Sequence, residues 1–310
     1  MNVEIPLRGA GGEPVDLLRT ITSHGLASLP PIELDEDAAT LTSTLPAPAG
    51  RPRTVRVSPG SKGHARIQVM GRPPGRKAAE ALVDSVRHVL HMDEDLSEFY
   101  ALALADPDLA WVAGGAGRMI RSPTVFEEVV RIVCTTNCSW ALTTRMITAL
   151  VERLGEPAPG APADGWRGRT FPTAEAMARA TPTFYRDVVR AGYRGPYLRA
   201  LARSVASGAL DLEVLAAASP EELSDDEMEI RLLALPGVGP YAAAHVMLLL
   251  GRYSRLILDS WTRPKYARLI GRKKPVSDAT ILRRFRPYGR YAGLAFWCFV
   301  TSDWVADGVA

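Results

Sequence analysis

A chain of 310 residues with 47% hydrophobic content has enough apolar material for one large or two ordinary domains, which excludes a disordered or fibrous polymer. No run approaches the roughly 20 apolar residues that a membrane helix needs. Met1-Asn2-Val3-Glu4 has neither the basic start nor the apolar core of a signal peptide, so a cytoplasmic protein with no membrane partner is expected. The net charge of +3 is small, but it averages over unlike segments and does not exclude a polyanionic partner.

In chain order, residues up to about Met70 read as β-rich. Val3 to Leu7, Ala39 to Leu45, Thr54 to Ser58 and Ala65 to Met70 alternate or carry β-formers, and Pro59-Gly60-Ser61-Lys62-Gly63 makes the last pair a hairpin. Gly71-Arg72-Pro73-Pro74-Gly75 breaks the pattern and sets the expected boundary between an N-terminal antiparallel β domain, 1–75, and a helical body, 76–310. Helices are expected over Ala78 to Met92, Leu96 to Ala105, Val125 to Thr135, Ala141 to Leu154, Ala174 to Ala180, Pro182 to Ala191 and Pro196 to Ser207. Pro157 to Gly168, of low complexity, reads as a surface loop between helices. The fold class expected is mainly α with a small N-terminal antiparallel β-sheet.

Cys134, Cys138 and Cys298 are too few for the four thiolates of an iron–sulfur cluster and wrongly spaced for a closed zinc site. Cys134 and Cys138 stand four apart on an apolar helix, where buried thiols are expected. The expectation is no metal, no other cofactor and no disulfide.

The chain turns on Leu235-Pro236-Gly237-Val238-Gly239-Pro240-Tyr241, which joins a good helix former, Glu227 to Ala234, to the apolar run that ends at Leu250. Pro240 suits the first position of a helix because its missing N–H has no intrahelical acceptor to lose. Gly237 and Gly239 allow positive φ, and Gly237, Val238 and Gly239 are expected to turn their N–H groups outward as an anion cradle at a helix N-terminus, shaped for a phosphate. A short connection then leads through Leu256-Ile257-Leu258 to Asp259. This turn, the apolar helix and an aspartate closing an apolar run resemble the helix-hairpin-helix DNA glycosylases, in which the hairpin grips the DNA backbone and the aspartate faces the sugar of a flipped nucleotide.

Further stretches extend the resemblance from about Ser122 to Trp304. Pro123 to Asn137 looks like the helix and turn that deliver the family's wedge into the base stack. Phe171-Pro172-Thr173 and Gly192-Tyr193-Arg194-Gly195 resemble helix entries in the family, the second strongest in its 8-oxoguanine branch. Phe285-Arg286-Pro287-Tyr288-Gly289-Arg290-Tyr291 is similar to a C-terminal aromatic segment of the alkylated-base branch. The resemblance implies a protein of the bacterial nucleoid that acts as a monomer on double-stranded DNA containing damaged bases.

The same resemblance assigns roles. Asp259 is the expected catalytic residue, because a carboxylate in a partly dry site stabilises the oxocarbenium character of the sugar as the glycosidic bond stretches; its bland alternative is an N-cap for the next helix. Asn137 is expected to enter the vacated stack or contact the orphaned base, the alternative being a cap for the helix near Ser139. Tyr241 stands where bifunctional relatives carry a lysine, and a phenol forms no Schiff base, so hydrolysis by water is expected. Tyr241, His245, Trp140 and Tyr288 are the expected base pocket, each with core packing as its alternative. Electron-rich rings suit the positive charge of alkylated purines, at roughly 0.5–2 kcal/mol per contact.

Arg263 and Lys265 are the expected side-chain phosphate partners. They belong to a basic stretch that also holds Arg252, Arg255, Arg268, Arg272, Lys273, Lys274, Arg283, Arg284, Arg286 and Arg290, against only Asp259 and Asp278. Acids gather just upstream, at Glu221, Glu222, Asp225, Asp226, Glu227 and Glu229. The function expected is a monofunctional glycosylase for 3-methyladenine-type bases; the alternatives are an oxidised- or deaminated-base glycosylase and a non-catalytic lesion-binding protein.

Overall fold

A computed structural model describes residues 1–47 and 50–304. The N-terminal part is a five-stranded antiparallel sheet of β1 (Asn2–Pro6), β2 (Ile32–Asp35), β3 (Thr40–Leu45), β4 (Arg53–Pro59) and β5 (His64–Val69), in the order β1-β5-β4-β3-β2. Alternation fixes its buried face: Val55 and Val57 of β4 lie opposite Val69 and Ile67 of β5, and all four are buried. Strand β2 has only four residues and no alternation long enough to mark it, so it escapes a periodicity reading.

The buried face is covered by α1 (Leu17–Ile21) and by α2 (Arg76–Val89), which turns Leu82, Val86 and Val89 toward it. Leu90, Met92 and Ile120 join the same apolar cluster. The expected boundary at residue 75 is therefore not a packing boundary, because the helix after it belongs with the sheet.

The helical body follows as α3 (Ser97–Leu104), α4 (Val125–Thr135), α5 (Trp140–Leu154), α6 (Ala174–Arg179), α7 (Arg194–Ala206), α8 (Glu213–Ala217), α9 (Asp225–Leu233), α10 (Pro240–Leu249), α11 (Thr262–Leu269), α12 (Asp278–Phe285) and α13 (Ala292–Val300). Between α6 and α7, where a longer helix was expected, the chain makes one π-helical turn over Phe184–Val188. Pro157 to Gly168 is a loop, tied to β2 by the Arg167–Glu33 ion pair at 2.9 Å.

Helices α4 and α10 are the centre. From Ala242 to Leu249 every residue of α10 is buried, as an all-round apolar helix must be, and α4 is buried from Val125 to Cys134. Three charged groups at the start of α4 are buried together. The Arg131 guanidinium pairs with Glu127 at 3.0 Å and donates to the carbonyls of Leu26 and Leu29, while Glu128 accepts from the Ser122 N–H. With the Trp297 indole N–H donating to the Ser23 carbonyl at 2.8 Å, these contacts join the sheet to the helical body.

Candidate active site

The C-terminus of α4 and the N-terminus of α10 arrive at one place, tied by a 3.2 Å hydrogen bond between the Thr135 and Tyr241 hydroxyls. The α9–α10 hairpin forms one rim. Gly237 has φ +82°, and a Cβ there would lie 3.0 Å from the Tyr197 ring and 3.2 Å from Val133, so any other residue is strained there. Gly239 departs from expectation: its φ is −108°, open to any residue, and a Cβ would meet nothing within 4 Å. What glycine leaves there is room for a ligand to approach the backbone. Val238 also departs, since its N–H donates to the Leu235 carbonyl at 3.2 Å and its side chain is buried. The cradle therefore consists of the Gly237 and Gly239 N–H groups, which meet no acceptor among the described residues, and the first turn of α10.

Across from the hairpin stands Asp259. Its Oδ1 accepts from the N–H groups of Trp261 at 2.8 Å and Thr262 at 2.6 Å, the bonds of a helix cap at the start of α11. Thr262 replies: its Oγ1 accepts from the Asp259 N–H at 2.9 Å and donates to the Ile257 carbonyl at 2.7 Å. Oδ2 accepts no bond among the described residues. Asp259 caps a helix with one oxygen while lining, together with Gly237 and Gly239, a cleft of about 890 Å³.

The cleft takes in Asn137, Trp140, Tyr241 and Asp259 from the expected set. Asn137 is exposed at φ +46° and donates from Nδ2 to the Tyr193 hydroxyl at 3.3 Å. It is not the cap of α5, a role filled by Ser139, whose side chain accepts from the Leu142 N–H. Trp140, 47% exposed, forms a wall. Burial pushes the Tyr241 hydroxyl above its ordinary range, so the phenol stays protonated.

Four expected residues lie elsewhere. His245 is buried behind Tyr241, ring centroids 4.6 Å apart, and does not line the cleft. Burial lowers its pKa to about 4 against the opposing pull of Asp259, so it is neutral at physiological pH. Tyr288 is a core residue whose hydroxyl donates to Asp106 at 2.7 Å. Lys265 is buried with its ammonium on Asp303, which removes it as a phosphate partner. Arg263 forms a two-armed pair with Asp278 at 2.7 and 2.9 Å and faces a different groove.

Tyr193, Trp261 and Cys138 line the cleft without having been singled out as site residues. Trp261, two residues past the aspartate, packs against Trp297 and Trp304 at 6.0 and 5.7 Å between ring centroids. Its adjacency to Asp259 and the aromatic of Gly192-Tyr193-Arg194 were the available signals. Cys138 lies beyond the end of α4 rather than on it, half-buried, whereas burial pushes Cys134 up to about 12.

The basic stretch is also partly neutralised. Arg252 pairs with Asp225, Arg255 with Asp226 and Glu229, Arg284 with Asp106, and Arg290 with Glu98. The acids of α9 thus answer the arginines after α10, and the free positive charge is narrower than the sequence suggests. Among the described residues, no helix is long and apolar enough to cross a membrane.

No family model matches the chain. Over 57% of its length it is 29% identical to the DNA-3-methyladenine glycosylase of Bacillus subtilis, and that match spans only 56%, about half, of the relative. Among solved structures it is similar to the 3-methyladenine DNA glycosylase of Archaeoglobus fulgidus, at 20% identity and TM-score 0.70, over 98% of this chain and 99% of that one. The apo-form 8-oxoguanine glycosylase/lyase of Clostridium acetobutylicum is similar at 21% identity and TM-score 0.70, over 96% and 95% of the two chains. The chain shares the fold of these two glycosylases.

Proposed function

We propose that the protein is a monofunctional DNA glycosylase that acts as a monomer in the bacterial nucleoid, hydrolysing the N-glycosidic bond of a flipped, alkylated purine in double-stranded DNA. The observation that carries this reading is the open Oδ2 of Asp259, in a cleft rimmed by the Gly237–Gly239 turn and walled by Trp140, Tyr193, Tyr241 and Trp261. The turn grips a phosphate of the damaged strand, the rings receive the extruded base, and Asn137 occupies the space the nucleotide leaves. Asp259 faces the sugar, stabilises the positive charge that develops there and orients the attacking water.

Two absences among the described residues give the chemistry its direction. The cleft lining contains no lysine, so no amine stands ready to form an imine with C1′, and cleavage of the strand is not expected. His245 is buried and neutral, so no imidazolium is available to protonate a departing base. A 3-methyladenine or 7-methylguanine base already carries positive charge and needs no such acid. Electron-rich rings hold that cationic base by stacking and cation–π attraction.

The test is base release from duplexes carrying single defined lesions, with borohydride present in parallel. Release of 3-methyladenine and 7-methylguanine without a trapped covalent adduct is the expected result. Asn137 favours a second reading, release of 8-oxoguanine, since an amide at that position can pair with an orphaned base edge. Release of 8-oxoguanine alone would exchange the two readings, and an adduct would contradict hydrolysis by water. DNA binding with no release of any base would leave a lesion-binding protein.

A further inference from the structure

We infer that the basic groove running along α11 to the turn after it is a second phosphate-binding site, which holds the DNA backbone beyond the lesion and lengthens the protein's footprint on the duplex. The inference rests on the glycosylase reading above and adds to it a contact surface outside the cleft.

Within the basic stretch, Arg268, Arg272, Lys273, Lys274, Arg283 and Arg286 have no carboxylate partner among the described residues, and the first four of them gather at this groove. Those four are exposed; Arg252, Arg255, Lys265, Arg284 and Arg290 each pair with a carboxylate. Those four unpaired cations converge with Arg263 on a groove of about 260 Å³. The backbone brings them together. Gly271, at φ +70°, ends α11, its N–H donating to the Arg268 carbonyl at 3.0 Å and that of Arg272 to the Ala267 carbonyl at 2.8 Å. This reversal folds Arg272, Lys273 and Lys274 back beside Arg268. A helix C-terminus carries about half a negative charge, which one cation more than offsets, so a surplus of positive charge remains.

Position identifies the occupant. Helix α11 starts beside Asp259 and Trp261, which line the cleft, and the groove runs along it from Arg263 to the turn that carries Arg272, Lys273 and Lys274. Its eight residues rise about 1.5 Å each, placing the turn with Arg272, Lys273 and Lys274 on the order of 12 Å along the helix from the cleft. That is about three to four steps of a duplex strand, at about 3.4 Å per step. A duplex seated with its damaged nucleotide in the cleft carries regularly spaced phosphates within reach of unpaired cations. DNA is favoured over an acidic protein because the site that fixes it is already at the other end of the same helix.

The experiment compares wild type with the triple variant R272Q/K273Q/K274Q, whose fold is checked by thermal unfolding. Binding is measured over a range of salt concentrations by fluorescence anisotropy. The duplexes carry an uncleavable abasic analogue with long arms on both sides, or with either arm cut to about two base pairs, too short to reach three to four steps. The variant is expected to lose about 2–3 units from the slope of log affinity against log salt on the long duplex, at about 0.9 unit per phosphate contact. Cutting one particular arm should abolish the difference between the proteins. Equal slopes on the long duplex would overturn the inference, as would a loss that survives both truncations, which marks diffuse charge. Preferential binding of wild type, but not the variant, to polyglutamate over the duplex would hand the groove to an acidic protein. If wild type releases methylated bases while the slopes agree, the groove fails and the glycosylase reading stands; if wild type neither binds nor processes DNA, both fall.

Discussion

Replacing Asp259 by asparagine removes a negative charge and almost nothing else. The amide oxygen can still accept from Trp261 and Thr262 at the present 2.8 and 2.6 Å, so the start of α11 holds. Turning two charge-assisted bonds into neutral ones costs about 1 kcal/mol of stability. The cost to catalysis is larger. A sugar cation about 4 Å from the carboxylate, at an effective dielectric of about 20, is stabilised by about 4 kcal/mol. At about 1.4 kcal/mol per factor of ten, D259N should slow base release about 10³-fold. The assay is single-turnover release from methylated duplex with enzyme in excess, where product release does not enter. The Kd for a duplex carrying an abasic analogue, measured alongside, should change little. A loss below about tenfold in a folded variant would show that the carboxylate is remote from the reacting carbon. An equal loss in Kd would show that it binds rather than catalyses.

Gly237 and Gly239 should separate folding from binding: G237A, forced to keep φ +82° against Tyr197, is expected to lower the unfolding free energy by roughly 1–2 kcal/mol, whereas G239A should leave it unchanged and weaken DNA binding. Denaturation and anisotropy on both variants check this. T262V removes the hydroxyl between the Asp259 N–H and the Ile257 carbonyl, and should lower the single-turnover rate with little change in Kd; T262S should restore the rate. Stability should rise between pH 5 and pH 7, because burial holds His24 at about 3, His88 and His245 at about 4, and His91 well below its ordinary value. An unfolded histidine takes up its proton near pH 6.5, so between these values the unfolded chain binds more protons and acidification destabilises the fold. Glu127, raised to about 7 by burial, acts oppositely between about pH 4.5 and 7, as do Glu128 and Glu94, but the four histidines outweigh them. A denaturation midpoint that falls over this range would refute that balance.

What the sequence made legible was local. Periodicity placed α4 on its observed residues, and the glycine-proline grammar of the hairpin fixed the turn because a few adjacent residues dictate their own backbone. The link from hairpin to Asp259 was equally readable. Which direction a side chain takes was not. Tyr288 and Lys265 looked available until Asp106 and Asp303, far away in the chain, claimed them. His245 shares a helix face with Tyr241, yet one more turn inward takes it into the core. The basic stretch was overread for the same reason: α9 supplies counter-charges that only the hairpin's closure brings opposite. Asn137 and Asp259, each weighed against a capping role, divide differently: Ser139 relieves Asn137 of the cap, and Asp259 performs its own with one oxygen and keeps the other.

The indole bond of Trp297 to Ser23 spans 274 positions of sequence. During synthesis the Ser23 carbonyl is made long before α13, so it meets this donor only after α13 has left the ribosome. The nascent chain therefore carries this joint open across a long stretch of synthesis. A chain that stops short of α13 never closes it, so this joint distinguishes unfinished copies from folded ones.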